Sequence, residues 1–323
     1  MRNIVADNAK FALIVLVVFG HLIEPKISQS AYLYSVFKSI YAFHMPAFVI
    51  LCGIFFSPED NIRKTFNQVL IPFGVYSVVY EVILFVASKD FSNYITNYSP
   101  VWIMWFMYSL VIWRLITPIF LKLPNPIFVS ILLSSFWLAF DFFGYHFGVA
   151  RTLSFFPFFL VGYIYKDKIN DFVLNKKEIK LSILLFFGCL LVAIFWNVDY
   201  KFWFGSYNMK DLGYSYYHGF VVKALAIIFS LIMSFAFLCI IPSSKNRFTF
   251  IGEKTIHVYL AHGILVKLLS FLGFFTFSYD VLGAVFYSLL MLAFAFAITL
   301  VLSTNWVSRI NVFLFRKLNP LSG

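Results

Sequence analysis

The chain has 323 residues, of which 62% are apolar and only 12% charged, and its mean hydropathy of +0.87 excludes a soluble globular protein. Its net charge of +11 does not indicate nucleic-acid binding, because the lysines and arginines collect in short loops beside apolar segments. The composition therefore predicts one integral-membrane domain over residues 1–323, embedded in the lipid bilayer.

Apolar runs close to the length of a membrane-spanning helix recur along the whole chain. There are about ten, at residues 9–23, 39–57, 66–88, 101–121, 126–142, 148–165, 180–197, 219–241, 254–272 and 280–304. Asp141, Tyr145, His146 and Arg151 interrupt the fifth and sixth, so nine or eleven spans are the alternatives. We predict an all-α polytopic membrane protein, a bundle of about ten transmembrane helices.

Basic residues mark one side of the predicted bundle. They cluster after the sixth and eighth runs and near the C-terminus, at Lys166, Lys168, Lys176, Lys177, Lys180, Lys245, Arg247, Lys254, Arg309, Arg316 and Lys317. Because basic loops stay inside, we expect both termini to be cytoplasmic. Asp7 and Lys10 interrupt the approach to the first run and no small-residue cleavage site follows it, so we expect a retained span rather than a signal peptide.

The first run carries three ionisable groups, which are costly inside a membrane and usually functional. Lys10 and His21 are eleven residues apart, which places them on nearly the same helix face, about 16 Å apart along the axis. His21 and Glu24 share a face, and Pro25 predicts that the helix ends just beyond them. A carboxylate fixes the tautomer of an imidazole and raises its basicity, as a general base for an alcohol requires. An inert hydrogen-bonded pair at an interfacial helix end is the alternative.

Other ionisable residues within the apolar runs each allow two interpretations. His44 either lines an acceptor cavity or bonds a neighbouring carbonyl, and His262 belongs either to a polar network or to the chemistry itself. In the functional interpretation, Arg151 stabilises an oxyanion or binds an acidic acceptor. In the structural interpretation, its side chain extends to the membrane interface. Glu81 requires a partner or water inside the third run.

Trp105 and Arg114 are expected to be structural and interfacial, except that a cytoplasmic position of Arg114 suits a phosphate contact. The three cysteines occur singly, without metal or redox spacing, and are predicted to be reduced packing residues. Aromatic rings gather before the eighth run, where they form an interfacial belt or stack on sugars: Trp203, Tyr207, Tyr214, Tyr216 and Tyr217.

The first helix resembles the opening helix of the membrane acyltransferase-3 family. The similarity runs from Asp7 through Lys10 to Gly20 and His21. The family pattern is an arginine, ten residues and a histidine, and in this chain Lys10 stands at the position of the arginine. The lysine and the continuation to Pro25 resemble the fucose 4-O-acetylase-like branch. Lysine keeps the charge but loses the planar fork of arginine, so a phosphate contact is the safer role for it.

Further segments resemble the family in order and spacing. They are Phe43–Phe48 with Leu51–Phe56, in which Cys52 stands where a serine is usual, Trp105–Tyr108 continuing to Trp113–Leu115, Arg151 with Phe155–Tyr163, and Gly252–Lys254 with Tyr259–His262. The resemblance therefore covers most of the chain.

This resemblance implies a bacterial plasma-membrane O-acyltransferase that moves acetyl from cytoplasmic acetyl-CoA to a hydroxyl of a cell-surface carbohydrate or lipid-linked saccharide. Acetyl-CoA is then a substrate, and no tightly bound cofactor or metal is expected. His21 is the expected base, Glu24 its orienting carboxylate, and Lys10 and Arg114 the phosphate contacts. A transient acyl-enzyme is compatible with the same residues.

A proton-coupled transporter or flippase for a saccharide or lipid-linked precursor is the alternative, since such proteins also use buried His, Glu and Arg residues. Transporters of this kind are commonly built from internal repeats. The two halves of the chain show no clear repeat, so the enzyme is the preferred hypothesis.

Overall fold

The computed structural model describes residues 3–58, 62–88, 95, 98–137, 146–176 and 178–317. All regular elements of these ranges are helices. In chain order they are α1 (Ile4–Ile23), α2 (Ala31–Tyr41), α3 (His44–Ile54), α4 (Ile62–Thr65), α5 (Ile71–Ser88), α6 (Trp105–Phe120), α7 (Pro126–Phe136), α8 (Val149–Ile164), α9 (Lys166–Asn175), α10 (Ile179–Phe195), α11 (Tyr200–Phe204), α12 (Tyr216–Ile240), α13 (Thr255–Phe271), α14 (Phe274–Leu302) and α15 (Asn305–Lys317).

Within the described ranges, seven helical segments are long and apolar enough to cross a membrane. They are Ile4–Gln29, Ala31–Ile54, Arg63–Ala87, Trp102–Phe120, His146–Ile164, Tyr216–Ile240 and Phe274–Leu302. The bent pair α9 and α10, with 105° between its halves, is an eighth candidate, and α7 and α13 are shorter apolar helices. The all-helical membrane fold is thus confirmed, whereas the count of ten and the cytoplasmic termini stay predictions.

Most predicted runs coincide with a helix, although the helices of runs 9–23 and 280–304 begin earlier, at Ile4 and Phe274. The run 39–57 begins earlier, at Ala31, because the Ser30 side chain caps α2 by accepting a hydrogen bond from the Leu33 N–H. The predicted run 126–142 begins as α7, but residues 138–142, including Asp141, and also Tyr145 lie outside the described residues.

Both ends of α1 follow from local sequence. The Asn3 side chain accepts a hydrogen bond from the Ala6 N–H at 3.0 Å and so caps the first turn. The α-helix ends at Ile23, and a 3-10 helix over Glu24–Gln29 follows, with Pro25 near its start. The α-helix therefore ends one residue before Glu24, close to the predicted end just beyond it, and the chain continues in 3-10 geometry to Gln29.

The chain forms two compact units, each assembled from separate stretches of sequence. The first unit contains residues 1–48, 167–200 and 229–311, and the second contains 49–166, 201–228 and 312–323. The prediction of one domain over residues 1–323 stays a prediction.

In the first unit, α1 packs against α13, α14 and a 3-10 turn at Thr249–Glu253. This turn lies very close to the helix, since a Cβ on Gly252 would lie 2.1 Å from the Asp7 carbonyl oxygen. The Asn8 side chain donates to the carbonyls of Pro242 and Ser244 at 2.9 and 3.0 Å. Gly252, by its close approach, and Asn8, by its hydrogen bonds, thus hold the loop before α13 against the N-terminal end of α1.

In the second unit, the backbones of α3 and α8 meet at two glycines. A Cβ on Gly53 would lie 2.1 Å from the Phe159 carbonyl oxygen, and a Cβ on Gly162 would lie 2.2 Å from the Ile50 carbonyl oxygen. Small residues allow membrane helices to approach this closely. The crossing requires glycine at both positions.

Candidate active site

His21 and Glu24 form the pair that their spacing predicts. The His21 Nδ1–H donates to Glu24 Oε2 at 3.0 Å across the junction between α1 and the following 3-10 helix. The His21 side chain is 16% exposed and the Glu24 side chain is 33% exposed, so the pair remains accessible to a ligand. Because Nδ1 carries the proton, the neutral imidazole has its lone pair on Nε2.

His262 brings a second imidazole to the pair from α13. Its ring centroid lies 5.5 Å from that of His21, with 30° between the ring planes. Its Nδ1–H donates to the carbonyls of Val258 and Tyr259 at 3.1 and 2.7 Å. The residue is fully buried, and its Nε2 has no hydrogen-bond partner within the described chain. A buried acceptor without a partner costs on the order of 1–3 kcal/mol, which a bound hydroxyl would relieve.

His44 has the same arrangement on α3. Its Nδ1–H donates to the Ile40 carbonyl at 2.8 Å, the bond that its structural interpretation predicted, and its ring packs edge-on against Tyr41 at 4.6 Å. His21 lies close enough to His44 and to His262 for a charge on its imidazole to influence both rings. Three histidines therefore lie near one another in the first unit.

Three residues that were not predicted as site residues hold this end of α1. Tyr287, fully buried on α14, donates its hydroxyl to the Leu22 carbonyl at 2.9 Å. Tyr41 packs on Gly20, where a Cβ would lie 3.1 Å from its ring. Lys267, on α13, interacts electrostatically with Glu24. Lys267 could have been predicted as a functional residue, because it is a charged residue within an apolar run. Tyr41 and Tyr287 could not, because a tyrosine in such a run does not by itself indicate a function.

The opposite end of α1 is basic. Lys10 forms an ion pair with Asp7, with Nζ and Oδ1 2.9 Å apart, and its side chain is 22% exposed. The Arg247 guanidinium lies 4.8 Å from the centre of the Phe248 ring, which stacks on Phe11 at 5.5 Å. Arg247 is exposed and was predicted only as an orientation signal.

The remaining predicted site residues belong to the second unit. The Arg151 guanidinium lies 5.2 Å from the centre of the Trp105 ring and 5.5 Å from that of Phe204, so Arg151 and Trp105 are brought together. Arg114 is half-buried on α6, and Glu81 is half-buried on α5. Their proposed roles stay predictions.

Among the described residues, no cluster of three or more His, Cys, Asp or Glu side chains has the geometry of a metal site. Cys52, Cys189 and Cys239, all in the described part of the chain, form no disulfide bond. The chemistry that His21, Glu24 and His262 support in the first unit is proton transfer by imidazole, assisted by a carboxylate.

Residues 3–304 match the family profile described as "Acyltransferase domain", the acyltransferase-3 family. The chain belongs to the acyltransferase-3 family. It is thus a membrane O-acyltransferase, which the first-helix motif predicted, and this family membership favours the enzyme over the transporter alternative. Its apolar helices make it a multi-pass protein.

Two relatives carry the name "Nodulation protein NolL". The protein from Sinorhizobium fredii (strain NBRC 101917 / NGR234) is 25% identical over 299 residues, covering 84% of this chain and 80% of its own length. The protein from Mesorhizobium japonicum (strain LMG 29417 / CECT 9101 / MAFF 303099) is 43% identical over 70 residues, 21% of this chain and 18% of its own length. No solved structure matches the chain. Placement in the fucose 4-O-acetylase-like branch stays a prediction.

Proposed function

We propose that this acyltransferase moves acetyl from cytoplasmic acetyl-CoA to a hydroxyl of a cell-surface carbohydrate or lipid-linked saccharide, with His21 as general base. The observation that carries the proposal is the 3.0 Å contact between His21 Nδ1 and Glu24 Oε2, beside the unsatisfied Nε2 of His262. Two imidazole acceptors next to one oriented carboxylate suit the recognition and deprotonation of an alcohol.

The reaction proceeds by general-base catalysis. His21 Nε2 takes the proton of the acceptor hydroxyl while its oxygen forms a bond to the thioester carbonyl carbon. The tetrahedral intermediate collapses by breaking the carbon–sulfur bond, and the imidazolium returns the proton to the departing CoA thiolate. Glu24 stabilises the imidazolium that forms, while His262 Nε2 accepts a hydrogen bond from a neighbouring hydroxyl of the acceptor and so orients the acceptor.

The donor phosphates are assigned to the basic end of α1. Lys10 and His21 lie on one continuous helix, so about 16 Å separates their positions along the axis. Arg247 adds a second cation beside the same end of the helix through its contact with Phe248. An extended pantetheine arm spans such a distance and would bring the thioester to His21.

This assignment requires a defined orientation in the membrane. We place Lys10 on the cytoplasmic side, both termini inside and about ten spans in the plasma membrane of a bacterium. The basic loops support this orientation, and the two relatives come from rhizobial bacteria. Acetyl-CoA would then reach its anchor from the cytoplasm.

Acetyl-CoA turnover by the purified protein in lipid nanodiscs tests the proposal, with a panel of sugar acceptors. We expect acceptor-dependent CoA release that falls by about 10²–10⁴-fold in His21→Ala, because the base is lost. Glu24→Gln keeps the size of the side chain and loses its charge, so it should lower kcat less severely. His218→Ala, at an exposed histidine on α12, is the matched control and should retain activity.

Two results would overturn parts of the proposal. A folded wild-type protein that neither binds nor consumes acetyl-CoA would contradict the choice of donor. Full activity in folded His21→Ala would remove His21 as the base while leaving the donor assignment intact.

A further inference from the structure

Lys223 is a buried cation that the reaction above does not use. It lies on α12, seven residues after Tyr216, and is 6% exposed. Its ammonium lies 5.4 Å from the centre of the Phe202 ring. Within the described ranges it has neither a hydrogen bond nor a carboxylate partner.

The segment that covers Lys223 also contacts a second cation. This segment is α11 with the turn after it, and within the second unit its Phe202 ring faces Lys223 while its Phe204 ring faces Arg151. The turn is fixed in place, since Gly205 has a φ of +66° and a Cβ there would lie 2.7 Å from the Ser154 Cβ. The next residue, Ser206, is 3% exposed, and its hydroxyl lacks a hydrogen-bond partner in the described structure.

An anionic ligand accounts for this combination better than packing does. A buried ammonium without a counter-charge is destabilising, and a methionine of similar length would avoid that cost. Snorkelling to lipid headgroups does not explain it, because Lys223 is enclosed by protein. Contact with an aromatic face stabilises the cation only in part, whereas a phosphate or carboxylate group supplies the full opposite charge and accepts from a hydroxyl.

We propose that Lys223, with Ser206 and Arg151, forms a subsite for an anionic group, a phosphate or a carboxylate, carried by the acceptor saccharide. All three residues of this subsite belong to the second unit. The assignment of the bound anion to the acceptor saccharide rests on the proposed function. The lipid-linked phosphate and the carboxylate of an acidic sugar are the two sources of this chemistry.

Thermal unfolding of the full-length protein in nanodiscs of zwitterionic lipid tests the binding step, with inorganic phosphate, glucuronate or glucose added at constant ionic strength. We expect phosphate, glucuronate or both to raise Tm, and glucose to leave it unchanged, because ligands that bind the native state stabilise it. A response to phosphate alone points to a lipid-linked phosphate, and one to glucuronate alone points to an acidic sugar. No response to either anion would overturn the proposal.

Lys223→Met separates a ligand role from a structural one. We expect its own Tm to equal or exceed that of the wild type, because an uncompensated buried charge is removed, and the anion-dependent rise to disappear. Lys210→Met, at an exposed lysine of the same unit, should keep the full rise. A lower Tm in Lys223→Met together with an unchanged anion response would make Lys223 a structural residue.

Turnover distinguishes this proposal from the function on which it rests. With an anionic acceptor, Lys223→Met should raise the acceptor KM at least tenfold, while the KM for acetyl-CoA and turnover of a neutral acceptor stay unchanged. If the wild type binds anions but never consumes acetyl-CoA, the anion site stands and the proposed reaction fails. An unchanged KM for every anionic acceptor would contradict the assignment to the acceptor.

Discussion

Glu24 is a single carboxylate with two basic neighbours, His21 and Lys267. It accepts a hydrogen bond from His21 and interacts electrostatically with Lys267 on another helix. In a membrane-embedded site an ionised carboxylate needs opposite charge nearby, and Lys267 supplies it while His21 is neutral. We therefore predict that Lys267 positions Glu24 in the proposed catalytic pair.

Replacement of Lys267 tests this role. We expect Lys267→Met to lower kcat by about tenfold, equivalent to roughly 1.4 kcal/mol, without changing the KM for acetyl-CoA. Lys267→Arg should restore most of the activity because it returns the charge. Lys122→Met, at an exposed lysine, is the control. An increase in the KM for acetyl-CoA at unchanged kcat would instead make Lys267 a donor contact.

His262 offers a second test at the scale of one residue, because its two ring nitrogens have separate tasks. In His262→Asn the amide N–H can replace the Nδ1–H donor to the helix carbonyls, whereas the Nε2 acceptor is lost. We expect a folded protein with a raised acceptor KM and a lowered kcat. His257→Asn, on the same helix and bonded to Asn311, should behave like the wild type. Equal kinetics in both variants would restrict His262 to a structural role.

At the scale of elements, the crossing of α3 and α8 leaves no space for a side chain. Gly162→Ala would place a Cβ 2.2 Å from the Ile50 carbonyl oxygen, which forces the helices apart. We expect a loss of about 1–3 kcal/mol of stability. Gly188→Ala on α10 is the matched control, since nothing lies within 4 Å of its Cβ, and it should be neutral or slightly stabilising. Thermal unfolding of both variants in nanodiscs gives the comparison, and equal values of Tm would contradict the close crossing.

The sequence predicted those parts of the site that depend on neighbours along the chain. The contact of His21 with Glu24 and the end of α1 before Pro25 follow from spacing and backbone chemistry within one turn. The approach of His262 joins positions 241 residues apart in the sequence, so no local pattern reports it. Lys38 was likewise not predicted from the sequence. Its buried ammonium donates to the carbonyls of Ile194 and Trp196, more than 150 residues away along the chain. The residue also lies inside a span that was predicted to begin only at residue 39.

At the scale of the whole molecule, the orientation decides which end of α1 meets the donor. Ser243 precedes α13 in a loop that we predict to be cytoplasmic, and Lys210 precedes α12 in a loop that we predict to be external. In a variant without native cysteines, Lys210→Cys should react with a membrane-impermeant maleimide on intact cells. Ser243→Cys should react only after the cells are permeabilised. The reverse pattern would place Lys10 outside and exclude it as a cytoplasmic donor anchor.

The bonds that hold α1 also set an order of assembly during synthesis. Asn8 bonds to the carbonyl of Ser244, 236 residues later, and the Leu22 carbonyl bonds to Tyr287, 265 residues later. At about 5–20 residues per second, the first helix waits on the order of ten seconds or more for these partners. Until then its polar groups depend on interfacial water or on other proteins of the membrane. A ribosome that stalls before Pro242 leaves α1 inserted without these bonds, so His21, the proposed base, is made early but acquires its neighbours on α13 and α14 only late in synthesis.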